Sequence, residues 1–118
     1  MNGSNFSPYK RTQQVVFRQT ILPLAGCKVE DECQFDGVIT SVGFHFPQGC
    51  SGLVSVVGGH SGERCFPRRG DFSLDDASPV FSCYEPVSLG EILWAQMENT
   101  DGSNSHTVSM IFTIQELL

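Results

Sequence analysis

Residues 38–46 read Val-Ile-Thr-Ser-Val-Gly-Phe-His-Phe, and apolar and polar side chains alternate along them with a period of two. Successive side chains of a β-strand point to opposite faces, so this pattern predicts a strand with one face in a core and the other in water. Parity places Val38, Val42, Phe44 and Phe46 inward, with Thr40 as the one polar inward position; Ser41, Gly43 and His45 face outward. Pro47-Gln48-Gly49 ends the run.

The same period recurs on both sides. Val108, Met110, Phe112 and Ile114 alternate with Thr107, Ser109 and Thr113, and Val15, Phe17 and Ile21 share one face of 14–22. Shorter apolar runs occupy 52–57, 63–66 and 80–85, the last stopped by Pro86. Residues 91–98 hold helix formers, but they lie between strand-like runs without a helical end signal and read as a strand. Turn and loop signals fill the gaps: an acidic loop at 27–34, Asp36-Gly37, a Gly58-Gly59-His60-Ser61-Gly62 hairpin turn, a long loop at 67–79 and a hairpin loop at 99–105. Seven or eight short strands at this spacing predict an all-β chain, one antiparallel β-sandwich or jelly-roll domain over 14–118 behind an extended N-terminal arm, 1–13.

A chain of 118 residues suits one domain, and surface scaling gives it a core without staples, with about two-thirds of its surface buried. The formal net charge is −6, with only seven Lys and Arg. That opposes nucleic-acid binding, which needs a basic face, and opposes docking on an anionic membrane. No apolar run is long enough to span a bilayer. The opening Met-Asn-Gly-Ser-Asn-Phe-Ser has neither a charged head nor an apolar stretch, so a cytoplasmic location is expected, or the virion if the source is viral. In such a compartment the sequons at Asn2 and Asn5 are chance features of a polar tail. Five cysteines, at 27, 33, 50, 65 and 83, form no CxxC pair and read as free thiols, with a Cys27–Cys33 bridge as the one plausible exception.

No residue set carries a catalytic or cofactor pattern. His45, His60 and His106 lack metal spacing and read as surface or cap residues. Cys50 and Cys65 are conceivable nucleophiles without a protease signature around them. Glu30-Asp31-Glu32 reads as a solvated loop, and Asp71 with Asp75-Asp76 lacks EF-hand spacing. Arg69-Gly70-Asp71 is an adhesive tripeptide by composition and a structural turn by expectation. Trp94 and Tyr84 lie in apolar runs and are expected in the core. Two alternatives remain open: a carbohydrate- or calcium-binding module using the 67–79 loop, and a cupin-like metal enzyme, which requires its histidines to converge.

Phe46-Pro47-Gln48-Gly49-Cys50-Ser51-Gly52-Leu53-Val54, together with Glu98-Asn99-Thr100-Asp101 and His106-Thr107-Val108-Ser109-Met110, resembles small β-sandwich proteins that decorate or complete the virions of bacterial and archaeal viruses. The resemblance implies a structural protein that binds neighbouring subunits, as a homo-oligomer, through its arm and sheet edges, with no catalytic residues. The expected partner-binding residues are Phe6, Pro8, Tyr9, Lys10 and Arg11 in the arm, and Arg68, Arg69, Asp71 and Phe72 in the long loop.

Overall fold

A computed structural model describes residues 10–117. They form β1 (Thr12–Ile21), β2 (Gly26–Glu32), β3 (Gly37–His45), β4 (Val54–His60), β5 (Glu63–Phe66), β6 (Val80–Val87), β7 (Ile92–Asn99) and β8 (His106–Glu116). One sheet runs β1-β8-β3-β6 and the other β2-β7-β4-β5, with every neighbour antiparallel. The pairs 1·8, 2·7, 3·6 and 4·5 are nested, as if one long hairpin had been wrapped into two layers. That wrapping is the jelly roll, so strand order decides between the two expected architectures.

The core lies between the sheets and follows the sequence period. Val108, Met110, Phe112 and Ile114 are all fully buried, as are Val15, Phe17 and Ile21 to within a few per cent. Gln13 joins the two layers beside β1: its Nε2 donates to Glu32 O, and its Oε1 accepts from Gln34 N, each at 3.0 Å. Thr12 and Gln13 belong to β1, so the strand begins two residues inside the expected arm.

Several local expectations change. Residues 26–32 are a strand, not an acidic loop. Cys27 and Val29 turn inward while Lys28, Glu30 and Glu32 line the outer side, a charged edge that resists pairing with another chain. Cys27 and Cys33 sit at opposite ends of this extended segment, about 20 Å apart at strand rise, and all five cysteines are free. In β3 a bulge leaves Thr40 unpaired between Ile39 and Ser41 in both ladders. It shifts the parity: Ile39 joins Val42, Phe44 and Phe46 in the core cluster, while Val38, opposite Gln115 and Pro86, is buried (3% exposed) but outside that cluster, with Thr40 beside it.

β4 runs through Gly58 and Gly59 to His60, leaving a turn of only Ser61 and Gly62. A Cβ on Gly59 would stand 1.9 Å from the Glu63 carbonyl oxygen, so only glycine lets β5 approach there. Pro86 lies inside β6, which tolerates it because β6 is an edge strand. Tyr84 is 74% exposed rather than in the core. Trp94 is buried, but on the outer side of its sheet, packed over Gly59 with the Lys28 ammonium 4.8 Å from its ring.

Candidate functional site

Register carries rows of outward side chains straight across the β1-β8-β3-β6 sheet. They are Gln14–Thr113–Ser41–Ser82, Val16–Ile111–Gly43–Val80 and Arg18–Ser109–His45, with Thr20–Thr107 beyond. Arg18 is the only formally charged residue in these rows. Glu85 in β6 turns inward, opposite Ile39, and Glu116 stands at the end of β8. The middle row is wholly apolar, with Val16 57% and Val80 70% exposed, and Tyr84 stands out from the same face. The other sheet differs: its outer side carries Lys28, Glu30, Glu32, Arg64 and Glu98. In each strand alone, the outward positions of the first sheet look like ordinary polar alternation. Their shared scarcity of charge emerges only when four distant segments align.

Of the expected partner-binding residues, Phe6, Pro8 and Tyr9 lie outside the described residues. Lys10 is exposed and borders a depression with Val38, Tyr84, Gln115 and Leu117, so the described chain starts beside this face. Arg11 is an ion-pair partner rather than a free contact. Its guanidinium and backbone N–H both engage Glu116, and it lies 5.0 Å from the Phe35 ring centre. The hydrogen bonds from Arg11 hold the Glu116 carboxyl below its ordinary range. Arg68 binds Glu85 at 3.1 Å, and Arg69 is exposed. Asp71 accepts a 2.8 Å bond from the Ser73 hydroxyl and lines an open polar groove with Ser55, Arg64, Gln96 and Glu98. Phe72 is half-buried and packs against the core. Its backbone bridges Val56, and its ring lies 4.3 Å from Phe44 and 5.2 Å from Phe81.

The long loop therefore closes the side of the jelly roll between edge strands β5 and β6. Beneath it Phe44, Phe66, Phe72, Phe81, Cys65 and Cys83 border an apolar cavity of about 110 Å³. Beside this cavity lies a polar cluster. His60 faces inward, opposite Leu93, with Nε2 2.8 Å from Glu85 Oε2 and Nδ1 2.8 Å from Glu91 Oε1. Glu91 also accepts bonds from the Ser61 hydroxyl and the Ser88 N–H. Burial disfavours a charged His60, but the hydrogen bonds and charges of the two glutamates outweigh it and raise the ring's pKa. Burial likewise works against the Glu91 carboxylate, yet donors from His60, Ser61 and Ser88 hold its pKa below the ordinary value. The β4–β5 ladder pairs Gly58 with Phe66 and Gly59 with Arg64, which leaves Cys65 as a bulged residue turned toward the cavity. Burial pushes its thiol pKa up, and the Glu85 charge adds to the shift. Donor atoms of His60, Glu63, Cys65 and Glu85 all lie within 4.8 Å of one another.

The three histidines do not converge. His45 meets the Ser78 hydroxyl, His60 sits in the cluster above, and His106 meets Asp101, each at 2.7–2.8 Å. Cys50 is fully buried, its thiol pKa raised by that burial and by the Asp75 charge. Asp75 caps a turn through the Gly49 and Ser51 N–H groups, and among the described residues it joins no cluster with Asp71 and Asp76.

Asp101 organises the β7–β8 connection. Bonds from His106, the Ser103 N–H and Asn104 depress its carboxyl to about 2. A depressed carboxylate stabilises the fold above its ordinary pKa, and that contribution is lost as pH falls toward the folded value. A carboxyl NMR titration should therefore show a midpoint of about 2 for Asp101, and Asp101→Asn should remove this part of the acid limb. A midpoint at the ordinary 3.8 would contradict the assigned bonds.

No protein-family model matches the chain, and no curated protein matches it. Among the described residues no helix is long and apolar enough to cross a membrane.

Proposed function

We propose that this chain is a structural protein of a multi-subunit assembly, a virion component that decorates or completes a capsid shell, acting by protein–protein contact. The observation that carries the reading is the charge-poor outer face of the β1-β8-β3-β6 sheet, where Arg18 is the single formal charge in the rows and Val16–Ile111–Gly43–Val80 is wholly apolar. Interface centres are depleted of charge because burying an unpaired carboxylate or ammonium is costly. A chain of net charge −6 repels its copies through most of its surface, and this face is where two copies meet without burying carboxylates. A two-fold contact would lay the apolar row against itself. The jelly roll supports the virion setting by analogy, since capsid proteins use it, as do lectins and cupins.

Sedimentation velocity over a concentration series tests the contact. The wild-type chain should run as a multiple of 12.9 kDa, and Val80→Asp with Ile111→Asp should run as a monomer with an unchanged melting temperature. Removing residues 1–9, which leaves β1 whole, should weaken association further if the arm contributes. A wild-type chain that stays monomeric throughout, or a double variant that associates like the wild type, would sink the reading.

A further inference from the structure

We propose that His60, Glu63, Cys65 and Glu85 form a binding site for one zinc-like divalent transition-metal ion, which ties the two sheets together between β5 and β6. Three elements converge there: β4 supplies His60, β5 supplies Glu63 and Cys65, and β6 supplies Glu85 from the opposite layer. Their donor atoms are within 4.8 Å of one another, close enough to close on one ion with small side-chain rotations. The donor set decides the metal. A thiolate and an imidazole are poor ligands for calcium or magnesium, whereas nitrogen, sulfur and carboxylate oxygen together suit tetrahedral zinc.

The surroundings are those of a ligand set held in place. His60 Nδ1 is 2.8 Å from Glu91 Oε1, and Glu91 is itself fixed by the Ser61 hydroxyl and the Ser88 N–H. A carboxylate on the far nitrogen orients the ring and leaves Nε2 for a metal. Nε2 is the nitrogen that faces Glu85. Glu85 is in turn held through its second oxygen by Arg68. Two backbone devices bring in the remaining ligands. The bulge turns Cys65 to the interior, and Gly59 admits the Glu63 main chain at a distance no side chain would permit. An ion entering the cluster replaces the proton on Nε2 and the proton on the Cys65 thiol, both of which leave to solvent. Ordinary ion pairing accounts for His60 between Glu85 and Glu91, but not for a bulged, inward Cys65 and a close Glu63 beside them.

Cobalt(II) and zinc titrations of the chelator-stripped full chain provide the test. One equivalent of cobalt should bind with tetrahedral visible bands and a thiolate-to-cobalt charge-transfer band, and zinc should displace it and raise the melting temperature. Cys65→Ser should abolish the charge-transfer band, while Cys83→Ser should keep it. Glu63 is exposed, so Glu63→Gln should leave the circular dichroism spectrum unchanged and weaken affinity about tenfold or more. A chain whose melting temperature ignores zinc and that shows no thiolate–cobalt band, or a band that survives Cys65→Ser, overturns the site. These readouts are independent of self-association, so they stand or fall apart from the assembly reading.

Discussion

Phe112→Ala is expected to lower the unfolding free energy by about 4 kcal/mol. Phe112 is fully buried at the middle of β8, the strand between β1 and β3, and lies opposite Val15 on one side and Val42 on the other. Its ring meets Phe17 edge-on at 5.9 Å and Phe66, from the facing sheet, at 5.5 Å. The side chain thus fills space claimed by both layers, and neither layer closes over the gap without bending a central strand. A domain of this size is stable by about 5–15 kcal/mol, so the loss is a large share of the total. Urea unfolding measures it as a fall in midpoint at an unchanged slope. A loss near 1 kcal/mol would show that the core collapses around the site. Ile111→Asp, one residue away on the outer face, should cost little stability and act on association instead.

Asn99→Ala is expected to cost about 3 kcal/mol, chiefly by stranding buried carbonyl groups. Asn99 is 2% exposed, and its Nδ2 donates to Ile21 O at 3.0 Å, Leu22 O at 3.3 Å and Asn104 O at 2.9 Å. Its Oδ1 accepts from the Asp101 N–H, so one side chain holds the β1–β2 corner of one end against the β7–β8 connection. Asn99→Asp keeps the acceptor but aims a carboxylate at three carbonyl oxygens, and should cost at least as much. Amide exchange should quicken at Asp101 first, ahead of the sheet interior. A loss under 1 kcal/mol for Asn99→Ala would mean that water takes over the carbonyls.

Much of the fold is legible in single strands. The inward set of β8 follows directly from its period, because β8 pairs without irregularity against β1. β3 has an equally clear pattern, yet its parity slips at Thr40, since a bulge is created by pairing with β6 and β8 and leaves no mark in β3 itself. β2 reads as a loop because an edge strand buries only Cys27 and Val29 and carries charge elsewhere. Gly58 and Gly59 read as a turn because local sequence cannot distinguish a glycine needed for a bend from one needed for close approach. The candidate surfaces were less visible still. His60, Glu63 and Cys65 are close in sequence, but Glu85 and Glu91 reach them only through the nested pairing of the jelly roll. The charge-poor face is assembled from four segments spread across the chain.

That nested pairing also sets an order in time. β4 and β5 meet across Ser61 and Gly62 alone, whereas Thr12 meets Gln115 across nearly the whole chain. Each outer pair closes a longer loop than the one inside it, and closure entropy grows with loop length. The β4–β5 turn is then the least costly place to begin, with pairing propagating outward until β1 and β8 seal last. So many distant pairings place the chain among slow folders, on the order of milliseconds to seconds. Val16 and Ile111 come together only in that final step, so the face offered to neighbours exists only on a chain that has finished folding.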